Sequence, residues 1–323
     1  MTEQELIDQY YSNKLYLSYS ALSKAMFSPM AYYNYYVLGQ KEDRLDSHLV
    51  EGSVIHCLLL EPTEFSNKFS ISSGKFPSEN TKRIIDELFR EYPDIDLLEN
   101  YQDDILNKLI RYNLHQSLKT DKQRLEKIIT DDTNEYLKGL ISAKGKIVIE
   151  QSMYDSANKT VELMKKNPSI TESLFMDKSE FDNVEIFSEH PLMIDVKETP
   201  FGLKGIIDRL VIDHDKKLYC IRDIKTTGKT ITEFPETVEY YNYWAQMAIY
   251  CILVRQAFGY EYGFDCEFIV VDKYKQMYVF PVSPLTLATW ALKVNEELEK
   301  FEWYYTNKKF DLPYQFVKKR MIL

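Results

Sequence analysis

The sequence predicts an α/β fold: a central mixed sheet with helices on both faces and a helical subdomain inserted into it. Three observations carry this. Gly202–Thr227 reads as two apolar strands joined by the polar turn Asp213-His214-Asp215-Lys216, whose short side chains can bond their own backbone. From residue 183 onward, strand-like runs alternate with runs at helical spacing, the order of an α/β unit. Between residues 78 and 142 the apolar residues recur only at helical spacing, as in Ile105, Leu106, Leu109 and Ile110, and no chemical motif accompanies them. The division expected is a single domain over 1–323, with 78–142 as the insertion and 183–282 as the sheet-and-helix core.

The elements follow in order. A short polar helix is expected over residues 2–12. Ser18 or Ser20 then caps a helix that Ser28-Pro29 interrupts. The aromatic run Tyr32–Tyr36 ends at Gly39, and a charged loop, Lys41–Asp46, leads to a helix from Leu49 to Leu60 that Pro62 stops. The insertion should hold helices over 81–91, 101–118 and 121–141, and another helix spans 150–167. Val184–Phe187 and Leu192–Val196 read as two strands before the central hairpin. Tyr240–Phe258 reads as a long helix, Cys266–Val271 and Gln276–Phe280 as a closing strand pair, and Leu285–Tyr305 as the last helix. A basic tail, including Lys318, Lys319 and Arg320, ends the chain.

Composition bounds the function. The 323 residues are 45% hydrophobic, enough for a sizeable core, and the net charge of −10 argues against a surface coated with nucleic acid. The charge is uneven, however. Lys197–Lys229 holds eight basic against five acidic residues, so an acidic protein can still own a locally basic cleft. The four cysteines, Cys57, Cys220, Cys251 and Cys266, are widely separated within apolar runs. Structural zinc needs paired spacings, so these read as buried thiols. No signal peptide or long apolar span is visible, and a soluble, cytoplasmic protein with no membrane partner is expected.

The chemistry concentrates in the hairpin. Side chains alternate along a strand, so Tyr219, Ile221, Asp223 and Lys225 share a face. Folding at the turn sets Asp208 close to opposite Asp223, with Cβ atoms roughly 5 Å apart if directly opposed. Two carboxylates that close need a positive group between them, and a hard divalent cation would serve. The plainer alternatives are a partnered strand carboxylate for Asp208 and an ordinary ion pair for Asp223 and Lys225. Glu185 reads either as a carboxylate behind this cleft or as an exposed strand residue.

The order Asp208, then Asp223-Ile224-Lys225 after fourteen residues, resembles the PD-(D/E)XK nuclease superfamily, with Ile207 where the family name has proline. Gly52-Ser-Val-Ile-His56 resembles the Gly-x-x-x-His motif of its RecB-like branch, and Gln246-Met-Ala-Ile-Tyr250 that branch's Gln-x-x-x-Tyr. Tyr19-Ser-Ala-Leu-Ser, Ser28-Pro29 and Leu58-Leu-Leu-Glu-Pro62 are most similar to the RecE-like exonucleases of the exodeoxyribonuclease VIII type. The resemblance implies Mg²⁺, or Mn²⁺ in its place, held by Asp208, Asp223, the Ile224 carbonyl and His56. It implies a water oriented by Lys225, Gln246 near the metal or scissile phosphate, and Tyr250 against the DNA backbone. Thr226, Thr227 and Lys229 follow the strand and could meet phosphates; a solvated loop is the alternative. For His56, Gln246 and Tyr250 the alternative is ordinary helix packing. The implied activity is exonucleolytic hydrolysis of linear double-stranded DNA, 5′ to 3′, beside a single-strand annealing recombinase in phage-type recombination, by a homo-oligomer. A structure-selective endonuclease and a non-catalytic DNA-binding protein on the same fold are the rivals.

Overall fold

The structure, a computed structural model, describes residues 3–40, 47–72, 74–174, 183–197 and 199–318. The expected loop Lys41–Asp46 and the tail residues Lys319 and Arg320 lie outside the described residues. The chain forms two compact units, Met1–Asp43 with Glu162–Leu323, and Arg44–Val161. The second is longer at both ends than the stretch 78–142.

The first unit opens with α1 (Glu3–Ser12), β1 (Tyr16–Ser18), α2 (Tyr19–Phe27) and α3 (Pro29–Tyr32). Ser18 caps α2, its Oγ accepting the Ala21 amide at 3.3 Å. Ser28 does the same for α3, and Pro29 fits the first turn of that helix because it has no amide to satisfy.

The second unit contains α4 (Ser47–Leu60), α5 (Phe65–Lys68), β2 (Phe69–Ser72), α6 (Glu79–Glu91), α7 (Gln102–Arg111), α8 (Asp121–Leu125), α9 (Asp131–Ala143), β3 (Ile147–Glu150) and most of α10 (Gln151–Lys166). The amphipathic faces of α6, α7 and α9 close over a core that includes Ile84, Leu88, Ile105, Leu109 and Leu137. Two expected helices end early. The helix expected over 101–118 stops at Arg111, because Asn113 and His115 take left-handed backbone with φ of 52° and 55°. The one expected over 121–141 is two helices, since Thr130 starts α9 with a reciprocal capping box to Thr133. The parallel pair β2–β3 was not expected; each strand has four residues, too few for a readable alternation.

The chain returns to the first unit through α11 (Pro168–Leu174), β4 (Val184–Asp195), β5 (Gly202–Asp213), β6 (Leu218–Thr227), α12 (Phe234–Tyr240), α13 (Tyr243–Phe258), β7 (Gly263–Asp272), β8 (Met277–Val282), α14 (Pro284–Asn307) and α15 (Tyr314–Lys318). The sheet is mixed, in the order β1-β5-β6-β7-β8, with β4 also paired to β5. Helix α13 is apolar on nearly every side up to Val254, as a segment enclosed by protein must be, and its last turn, Arg255–Phe258, is exposed. Trp244, Met247, Ile249, Leu253 and Val254 are buried in the core that joins it to the sheet and to α14. Gly205 permits the close approach of α13, since a Cβ there would lie 2.8 Å from Leu253 Cδ1 and 2.9 Å from Tyr250 Cε1. On β6, Arg222 is buried and anchors β7, its Nη2 2.6 Å from Asp265 and its Nε 2.9 Å from Glu267. Among the described residues no helix is long and apolar enough to cross a membrane.

The pairing of β5 decides where function can sit. A strand has two edges, and β4 takes one of them from Gly202 to Asp213. The other edge is therefore shared: β1 pairs Gly202–Lys204, and β6 pairs Arg209–Asp213. Between them β5 is released from both neighbours over Gly205–Asp208, and the sheet forks.

Candidate active site

Asp208 stands at the fork. The β5–β6 ladder ends at Arg209–Arg222, and the next position of its register sets Asp208 opposite Asp223. There Asp208 Oδ2 accepts the Ile224 amide at 2.7 Å, so a side chain replaces the missing ladder bond. The Ile206 carbonyl, left over by the same divergence, accepts from the Tyr250 hydroxyl at 2.6 Å. Asp208 is 7% exposed and Asp223 is fully buried.

Lys225, two residues beyond Asp223 on the same face, forms an ion pair with Asp223 Oδ2. Its Nζ also lies 4.7 Å from the centre of the Tyr243 ring. Burial works against the ammonium, but the charges of Asp223 and then Asp208 outweigh it, and the Lys225 pKa is raised. Asp223 Oδ1 is buried and meets no hydrogen-bond donor among the described residues.

A third carboxylate joins this group. The ladder between β4 and β5 pairs Ser188 with Arg209 and His190 with Ile207, and skips the pair between them. Those two skipped residues are Glu189 and Asp208. Glu189 takes a left-handed backbone, φ 45°, which is costly for a residue with a Cβ. A carboxylate oxygen of Glu189 lies within 4.8 Å of one from Asp208. The sequence reading missed Glu189 because Ser188-Glu189-His190-Pro191 looked like a break between two strands. The signal was present: a polar stretch containing proline, in the middle of an apolar strand, marks an irregular edge.

Gln246 and Tyr250 lie one turn apart on α13. The Tyr250 hydroxyl gives its proton to Ile206, so it must accept from Gln246, whose Nε2 lies 2.8 Å away. That fixes the amide, and Gln246 Oε1 is left buried with no partner among the described residues. Tyr250 itself is 5% exposed. Burial, then the nearby Asp223 and Asp208 charges, raise its pKa well above the usual phenol range. A role against the DNA backbone is not where the structure places it; it braces the open end of the fork from inside. Glu185 is also elsewhere. It is exposed, pairs across β4 with Ile212 and meets His214 Nε2 at 2.8 Å. Four residues of strand, about 13 Å, separate it from Glu189. Thr226 and Thr227 end β6 and Lys229 follows it, all half-exposed, with the Lys229 amide 3.1 Å from Thr227 Oγ1. His56 lies on α4 in the second unit, half-buried.

The residues present fit a hard divalent cation. Asp208, Asp223 and Glu189 offer oxygen donors, three carboxylates stand against the Lys225 ammonium, and one buried oxygen of Asp223 lacks a hydrogen-bond donor. Oxygen-rich sites of this kind suit hard divalent cations.

A putative exonuclease from Eubacterium rectale shares 13% identity over 95% of this chain and 87% of its own, with a TM-score of 0.49. The protein SSO0001 shares 16% identity over 58% of this chain and 78% of its own, with a TM-score of 0.26. No curated protein sequence matches. The family profile of the nucleases aligns from residue 16, in β1 beside the fork, to residue 311, past the end of α14; a match of that extent, over the strands that carry Asp208, Asp223 and Lys225, makes the chain a member of the PD-(D/E)XK nuclease superfamily.

Proposed function

We propose that the protein is a Mg²⁺-dependent deoxyribonuclease that degrades linear double-stranded DNA from its ends, with Mn²⁺ able to substitute. The observation that supports this reading is the forked hairpin, where Asp208 and Asp223 are buried together, Asp223 keeps an oxygen with no donor, and Lys225 is paired to Asp223. Asp208, Asp223, the Ile224 carbonyl and Glu189 would hold the cation, together with His56 from its Gly-x-x-x-His motif. A cation so held supplies a Lewis acid that polarises the phosphoryl oxygen and lowers the pKa of a bound water.

The side chains do the rest. Lys225 is kept protonated by its carboxylate neighbours and donates hydrogen bonds to the attacking water, orienting it. Gln246, its Nε2 committed to Tyr250, presents Oε1 as an acceptor for a proton of that water. Thr226, Thr227 and Lys229 meet the phosphates beyond the cleaved bond. By family resemblance the enzyme works 5′ to 3′ on DNA ends, as a homo-oligomer, beside a single-strand annealing recombinase in phage-type recombination.

The test uses one plasmid in two forms. Purified protein with Mg²⁺ should degrade the linearised form and spare the covalently closed circle. Nicking of the circle at a comparable rate would replace the exonuclease reading with an endonuclease on the same site.

A further inference from the structure

Next to Lys225 the structure holds an aromatic group that the chemistry above does not use. Tyr243, whose ring lies 4.7 Å from Lys225 Nζ, is followed outward by Tyr241, with centroids 5.6 Å apart and planes 32° apart. Tyr240 then stands edge-on to Tyr241, 4.8 Å away at 88°. Exposure rises along this series: Tyr243 is half-buried, Tyr241 is 46% exposed and Tyr240 is 73% exposed. Lys229 Nζ lies 5.2 Å from the Tyr240 ring. An exposed aromatic pair thus sits between the catalytic lysine and a second ammonium.

The turn that carries the pair is pinned. Tyr19 of α2 donates its hydroxyl to the Tyr241 carbonyl. Asn242 takes a left-handed backbone, φ 58°, a conformation asparagine tolerates better than most residues. Its side chain accepts from the buried Trp244 indole at 3.2 Å and donates to Ser23 at 3.4 Å. Contacts to the core and a residue in left-handed backbone therefore hold the turn that presents two rings to water. Exposed tyrosines that served only as a solvated surface would need none of this.

We propose that Tyr240 and Tyr241 form a stacking platform for an unpaired nucleobase next to the scissile phosphate, with Lys229 meeting the adjoining phosphate. The proposal rests on the nuclease reading and deepens it: the substrate presented to Lys225 is a strand already unstacked at its end. Rings beside ammonium groups are the combination that binds single-stranded nucleic acid without sequence preference, and their continuity with Lys225 through Tyr243 fixes which nucleotide they meet.

Two measurements test it separately from the nuclease reading. In the first, a single-stranded oligonucleotide carrying 2-aminopurine is bound without metal. Wild type should change its fluorescence by stacking, Tyr240→Phe should keep the change, and the Tyr240→Ala/Tyr241→Ala double variant should lose it. In the second, Mg²⁺-dependent cleavage is compared on ordinary DNA and on DNA with abasic sites at the end. Tyr240→Ala should raise KM on ordinary DNA by roughly fivefold, the low end of the loss of one base stack, and leave the abasic substrate unaffected. Equal fluorescence in wild type and double variant, or equal KM for wild type and Tyr240→Ala on ordinary DNA, overturns the platform and leaves the nuclease intact. Ring-dependent fluorescence without cleavage by wild type overturns the nuclease reading and keeps the base-binding surface. Absence of both overturns both.

Discussion

Removing either member of the Asp223–Lys225 pair should have unequal consequences for the metal-free protein. Asp223 is fully buried and Lys225 is 14% exposed, with Asp208 close enough to raise the lysine pKa further. Lys225→Met leaves Asp208 and Asp223 facing each other without their shared cation. Breaking a buried pair from one side costs about 3–5 kcal/mol, and the lower end applies because the lysine side chain is not fully buried. Asp223→Asn removes one of two like charges at nearly constant volume and leaves Lys225 balanced by Asp208, so its cost should stay within about 1 kcal/mol. Metal should then discriminate again. At a hundred times its dissociation constant Mg²⁺ stabilises a folded site by about 2.7 kcal/mol, which should raise the midpoints of wild type and Lys225→Met and leave Asp223→Asn nearly unmoved. Urea unfolding followed by tryptophan fluorescence suits this, because Trp244, Trp290 and Trp303 all lie in the first unit and report that unit alone. Equal destabilisation by the two substitutions, or an equal Mg²⁺ shift in all three proteins, would refute the reasoning.

Other outcomes follow from particular contacts. Glu189→Gln should weaken Mg²⁺ binding in a calorimetric titration at least tenfold, while Glu185→Gln, on the exposed His214 pair, should not change it. Tyr250→Phe strands the half-buried Ile206 carbonyl and should cost about 1 kcal/mol of urea stability, the low end for an unsatisfied group; the salt dependence of DNA binding should stay that of wild type, and a shallower slope would return Tyr250 to the DNA. Gly205→Ala drives a Cβ to 2.8 Å from Leu253 and 2.9 Å from Tyr250, an overpacking worth about 1–3 kcal/mol, readable as a lower unfolding midpoint. Lys229→Ala should flatten the slope of log K against log salt by about one if it neutralises one phosphate; an unchanged slope would make it a loop residue.

The legible parts of this fold share a local cause. The β5–β6 hairpin was readable because its turn chemistry and its alternation both lie within one short stretch, and they fix which residues face which. A helix start at Ser18 or Ser20 was readable for the same reason, and Ser18 is the one whose hydroxyl accepts an amide three residues on; Ser28 and Ser283, which the sequence reading did not single out as caps, do the same for α3 and α14. The features that escaped depend on partners distant in sequence. Nothing in Tyr16–Ser18 announces that it pairs with Gly202–Lys204, yet that pairing makes the fork. Tyr250 reads the same from sequence whether its hydroxyl faces DNA or the Ile206 carbonyl; only the divergence of β5 from β6 decides. Glu189 escaped because its left-handed backbone breaks the alternation that a strand reading depends on.

Asp208→Asn offers the most direct test of the central claim, because the amide oxygen can still accept from the Ile224 amide while the charge is lost. An end-labelled linear duplex should be hydrolysed by wild type with Mg²⁺, left intact with chelator, and left intact by Asp208→Asn at unchanged urea stability. Mg²⁺-dependent hydrolysis by Asp208→Asn at the wild-type rate would contradict the account.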